Sequence, residues 1–115
     1  MTTQTDVSAL LNAISLGKLN FQDVLSFIHD HYHYTPVAFD NGELHNAAGE
    51  NEGSAKIFAF AKLHGLNQID TLALFAEHYQ AVLANPEGND HANIRNFMHY
   101  GWLALNMPTP ALQER

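Results

Sequence analysis

The chain has 115 residues, no Cys and a formal net charge of -7, from 12 Asp+Glu against 5 Lys+Arg, with 8 His besides. That length supports one modest hydrophobic core and a single domain over residues 1–115. The missing thiols exclude a disulfide framework, a thiolate zinc site, an iron–sulfur cluster and a thiol nucleophile, and the few cations speak against nucleic acid or an anionic membrane as a partner.

No apolar run approaches the ~18 residues of a membrane span. Met1 to Thr5 lacks the charged start and apolar stretch of a secretory signal, so a cytoplasmic site and a frayed terminus over residues 1–5 are expected. Val7, Leu10, Leu11 and Ile14 then follow the i, i+3, i+4, i+7 spacing of one helical face, with Thr5 or Asp6 as cap and Gly17 at the end. Phe21, Val24, Leu25 and Ile28 repeat the pattern behind Asn20. The short link predicts an antiparallel pair of helices.

The helical signal stops at His33-Tyr34-Thr35-Pro36, because a residue before Pro favours extended backbone. Val37-Ala38-Phe39 reads as a short strand and Asp40-Asn41-Gly42 as a turn, giving an extended or hairpin segment near residues 34–46. Asn46 to Gly53 reads as a loop. Helix resumes near Ser54, and Ile57, Phe58, Phe60, Ala61 and Leu63 leave little polar face, as in a buried central helix ended by Gly65. Ile69, Leu72, Ala76, Tyr79 and Leu83 predict one long amphipathic helix capped by Asn67 and stopped at Asn85-Pro86. Asn89 or Asp90 should cap a last helix carrying Ile94, Phe97 and Met98. Trp102 and Leu105 should fold back on the core, and residues 107–115, with Pro108 and Pro110, should form a loose tail. The expected fold is mainly α, an all-α bundle of about five helices.

Charge is unevenly placed. Between Leu19 and Ala55 there is no Lys or Arg, while Asp23, Asp30, Asp40, Glu43, Glu50 and Glu52 lie there with His29, His31, His33 and His45. His29 and His33 would share a helical face and could hold Zn²⁺ or Ni²⁺ if His45 or a carboxylate completed the set. A solvated helix end explains them more simply, so no metal ligand and no cofactor are assigned. Two other stretches carry more polar side chains than capping requires. Ala48 to Lys56 runs a Gly-containing loop into a helix start, but Ser54 precedes Lys56, unlike a phosphate-binding Walker loop. Pro86 to Met98 puts His91 and Arg95 on one helical face, where Arg95 could bind an anion or pair internally with an acid.

In three places the chain resembles the HopJ type III effector family of Gram-negative bacteria. These are Thr35 to Gly42, His45-Asn46-Ala47-Ala48-Gly49 through Ser54 to Ala61, and Pro86-Glu87-Gly88 with Asp90 to Met98 and Gly101-Trp102. The likeness runs from about Leu10 to about Leu105. It implies a small helical protein, brings no catalytic residues with it, and implies delivery into a host cell by a type III system for at least one branch of the family. Thr2-Thr3-Gln4-Thr5 and Ser8 would suit a polar export signal.

The expected function is a binding or interaction module. Asn46, Asn51, Ser54, Lys56, His91, Asn93 and Arg95 would meet at one polar pocket, with Lys56 and Arg95 holding an anionic ligand. The partner would be that small anion, or a host or bacterial protein. One competing reading is an enzyme acting on an anionic metabolite with His91 as acid and base. Another is a structural, partner-binding surface.

Overall fold

A capping box sets the first helix. In the computed structural model, which describes residues 2–115, Thr3 Oγ1 accepts from the Asp6 N–H at 3.1 Å and Asp6 Oδ2 accepts from the Thr3 N–H at 2.9 Å. Two reciprocal bonds outweigh a single cap at Thr5 or Asp6, so α1 (Gln4–Ser15) begins earlier than expected. Thr2 is buried, so the segment 2–5 is not frayed. Met1, the remaining residue of that expected frayed stretch, lies outside the described residues. At the other end Gly17, at φ +73°, closes a Schellman turn in which Gly17 N–H meets Ile14 O and Lys18 N–H meets Ala13 O, both at 3.0 Å.

α2 (Phe21–His31) opens on a second capping box, between Asn20 and Asp23. The chain then passes directly into β1 (Tyr32–Tyr34). β2 (Phe39–Asn41) and β3 (Leu44–Asn46) form the expected hairpin, shifted by two residues. Asp40 and Asn41 lie in the strand, and Gly42 with Glu43 makes the loop. Gly42 takes φ +65° at the first loop position, which a two-residue hairpin turn demands of its glycine. A Cβ there would also stand 3.0 Å from the Tyr100 ring.

α3 (Glu52–Leu63) is the buried axis of the molecule, as its composition indicates. Phe58 packs on Phe39, Phe75 and Phe97 with ring centroids 5.9, 5.5 and 4.9 Å away, and Phe60 packs on Tyr32 at 5.8 Å. The long helix expected from Asn67 to Leu83 is instead two, α4 (Gln68–Ala73) and α5 (Glu77–Ala84). The break falls at Ala76, at φ 50° and ψ -121°. Leu74 and Phe75, both buried, lie in the connection between the two helices. The expected antiparallel pairing of α1 with α2 is not the main packing: α1 packs chiefly on α4, and α2 on α3.

α6 (Ala92–Tyr100) has His91 and not Asn89 or Asp90 at its N-cap position, with no side-chain cap hydrogen bond, and runs into a 3₁₀ turn (Gly101–Ala104). Trp102 does fold back, donating Nε1–H to Leu66 O at 2.9 Å while its ring meets Phe97. Leu105 enters β4 (Leu105–Asn106), which pairs with β2. The tail is not loose. β5 (Leu112–Glu114) pairs antiparallel with β1, and Met107, Ala111 and Leu112 are buried. The described residues thus form one compact, mainly α domain of six helices with two small antiparallel sheets, so it is not purely all-α.

Candidate functional site

Three helices begin on a non-glycine residue with positive φ: α3 on Asn51 (49°), α5 on Ala76 (50°) and α6 on His91 (51°). No side chain caps any of the three. A helix start without a cap leaves first-turn N–H groups without an intrahelical partner, at the positive end of the helix dipole. The first turns of α3 and α6 meet at one cleft of about 380 Å³, which α3 lines with Gly53 and Ser54 and α6 with Ala92, Asn93 and Ile94. Phe21 of α2, Phe75, His78 of α5 and Leu44 of β3 complete the wall with Asn51 and His91. No carboxylate, Lys or Arg is among these described lining residues, although the chain carries 12 Asp+Glu. Its ionisable side chains are the imidazoles of His78 and His91, whose rings lie 4.9 Å apart.

Behind the cleft a chain of asparagines ties the hairpin to both helix starts. Asn51 Nδ2 donates to Asn46 Oδ1 at 2.6 Å, and Asn93 Nδ2 donates to the same oxygen at 3.0 Å. Asn46 Nδ2 reaches Asn93 Oδ1 at 3.3 Å. Asn41 Nδ2 donates to Asn93 O at 2.8 Å and to Asn93 Oδ1 at 3.1 Å, and Asn96 Nδ2 donates to Asn41 O at 2.8 Å. Asn46 and Asn93 are 1% and 5% exposed, so the bonds between them are made away from water, and the chain of amides ties the two helix starts together. Asn41 Oδ1 is buried without a partner.

Of the seven residues singled out in the sequence, Asn51, Ser54, His91 and Asn93 line the cleft and Asn46 supports it. The other two sit elsewhere. Lys56 Nζ lies over the Tyr34 ring, 4.9 Å from its centroid. Arg95 takes the internal role: its guanidinium binds Asp90 Oδ1 at 2.7 Å and Asn85 O at 3.0 Å, and its Nε–H donates to Asp90 O. The hydrogen bond from Arg95 holds the Asp90 carboxyl below its usual range. Arg95 thereby pins the loop that delivers His91, so the expected pairing of Lys56 with Arg95 around a ligand does not occur. Lys56 and Arg95 lie four and three residues after the first residues of α3 and α6, but closeness in the chain does not bring their side chains to the cleft.

His78, Phe21 and Phe75 were not singled out. His78 lines the cleft from the first turn of α5, just after the break at Ala76, which no local sequence cue announces. His29, His31 and His33 do not share a face, since α2 ends at His31 and His33 lies in β1. His31 Nδ1 contacts Phe27 O at 2.8 Å, and His33 contacts the Arg115 guanidinium. Among the described residues no group of three or more His, Asp or Glu could hold a metal ion, and no helix is long and apolar enough to cross a membrane.

A solved crystal structure, that of the unknown-function protein VPA0580, is similar with a TM-score of 0.87 and 42% sequence identity, covering 100% of this chain and 97% of that one. No curated protein matches the chain. The family described as HopJ type III effector protein matches residues 7–112, nearly the whole length. The chain belongs to the HopJ type III effector protein family.

Proposed function

We propose that this chain is an effector-like binding module whose cleft between α3 and α6 takes the anionic group of a small ligand. The observation that carries this is the meeting of two uncapped helix starts at a cavity free of carboxylates, in a chain with a net charge of -7. Free N–H groups at a helix start favour an anion. Ser54 adds a neutral hydroxyl donor, Asn93 contributes its first-turn backbone N–H while its side chain is held in the asparagine chain, and the imidazoles of His78 and His91 can donate without the fixed charge of Lys or Arg. Membership of the effector family supports a role through recognition, and the cleft supplies a place for it.

Amide-resolved NMR titration with inorganic phosphate and with benzoate tests the reading. Saturable shifts at Gly53, Ser54, Ala92 and Asn93 are expected. His91→Asn should keep the fold, because Asn tolerates the left-handed backbone. It should weaken binding about tenfold, the cost of a hydrogen bond to a charged group. If neither probe moves those amides at millimolar concentration, the cleft is not an anion site.

A further inference from the structure

One wall of the cleft is a run of aromatic rings drawn from four segments of the chain. Phe75, in the break before α5, lies nearly parallel to Phe21 of α2, with centroids 6.0 Å apart and planes at 8°. Phe21 meets His78 edge to face at 4.6 Å, and His78 meets His91 at 4.9 Å with planes at 37°. Phe75, 1% exposed, backs this wall, and Phe21, 8% exposed, lines it with the half-buried His78 and His91. Aromatic pairs prefer offset or edge-to-face contact at centroid separations of 4.5–7 Å, the spacing these rings already keep with one another. Leu44 and Ile94 add apolar surface, while the polar groups, Ser54 and Asn93, belong to the helix starts. The cavity is therefore two-ended, aromatic at one side and hydrogen-bonding at the other.

We propose that the ligand is a small aromatic carboxylate, its ring set against Phe21 and His78 and its carboxylate turned toward Ser54 and Asn93. This rests on the anion reading above and narrows it to a chemical class. An inorganic phosphate would leave the ring wall unused, because it carries no apolar face. An acyl chain has no ring to meet the aromatic wall edge to face or offset. A single ring bearing one carboxylate fills both ends. Binding forms no covalent bond in this scheme. His78 and His91 supply ring contact and N–H donors.

Three probes on the full chain separate the possibilities: benzoate, cyclohexanecarboxylate and inorganic phosphate. The two carboxylates share charge and ring size, but one is planar and aromatic. Benzoate should bind about threefold to tenfold tighter than cyclohexanecarboxylate, the range expected for one or two aromatic contacts beyond buried area. Its ring protons should show nuclear Overhauser contacts to Phe21 and His78. His78→Leu, which keeps apolar volume and loses the ring, should bring the ratio close to one. If that variant does not fold, the ratio and the contacts on the unaltered chain decide by themselves. Equal affinity for the two carboxylates, with saturable shifts at Ser54 and Asn93, overturns the aromatic assignment and leaves the anion site standing. Tighter binding of phosphate than of benzoate does the same. Contacts from benzoate to residues outside the cleft also overturn it. Absence of cleft shifts with all three probes removes both readings together.

Discussion

At the scale of single residues, burial matters more than formal charge. His64 follows the last residue of α3, and its Nε2 lies 2.6 Å from the Tyr32 hydroxyl, whose ring is 1% exposed. Burial pushes the His64 imidazole below its usual value and the Tyr32 phenol above its own. With its proton on Nδ1, the neutral imidazole accepts a hydrogen bond from the phenol O–H at Nε2, and a protonated imidazole has no acceptor there. Since the folded value lies below the unfolded value near 6.5, the unfolded chain binds more protons between the two. Stability therefore rises with pH across that window, is complete above about 6.5, and is lost as pH falls through the folded value. Asp6 and Asp90 also act on acidification, since both lie below the ordinary 3.8, but their window is lower still. Urea midpoints measured from pH 7.5 to 5 should fall for the natural chain and stay flatter for His64→Gln. An equal slope in both would show that His64 is not the group responsible.

At the scale of elements, most helices were legible and one was misread. Helix starts with a side-chain cap could be placed to within a few residues, because Asn20 with Asp23 and Asn67 with Asp70 are local signals. The segment from Asn67 to Leu83 misleads because its apolar spacing fits a continuous helix. Yet Ile69 and Leu83 on that stripe are 75% and 46% exposed, while Leu74 and Phe75 are the buried pair. Ala76 turns the chain at φ 50° and ψ -121°, a conformation ordinarily left to glycine. Glu77 then accepts from the Phe21 N–H at 2.6 Å, tying the break to the start of α2. Ala76→Gly distinguishes the two architectures by sign. In a continuous helix it would destabilise by about 1 kcal/mol. At this strained turn, relief of backbone strain should exceed the added unfolded-state entropy, for a net gain of about 1 kcal/mol. A denaturation midpoint that falls with this variant would contradict the break, and with it the placement of His78 on the cleft.

At the scale of the whole molecule, what the sequence hides is pairing between distant segments. The cleft unites Asn51, His78 and His91 through the fold, and the asparagine chain joins Asn41 to Asn93 across 52 residues. The C-terminal strand is the clearest case. Pro108 and Pro110 look like the start of a free tail, and β1 has no helical or alternating signal that would name a partner. In the fold His33 stands opposite Gln113, and the Arg115 Nε–H donates to His29 O at 2.8 Å. Leu112, opposite Tyr34 in the ladder, and Ala111, which accepts from the Thr35 N–H, are buried at 7% and 2% exposure. Removing residues 110–115 should thus uncover the β1 edge and one large apolar side chain. Burial of a Leu is worth about 1.5–3 kcal/mol, and the lost ladder adds to it, so a cost of about 2–4 kcal/mol is expected. Arg115→Ala alone, at an exposed position, should cost less than about 1 kcal/mol. Urea unfolding of the three chains checks the order. A truncated chain as stable as the full one would mean that this strand lies on the domain without holding it together. The cleft amides report in the same samples: α3 carries both the strand contact and the first turn at Gly53 and Ser54, so loss of the strand should leave their shifts in place only if the α3 start is held by the asparagine chain and not by the tail.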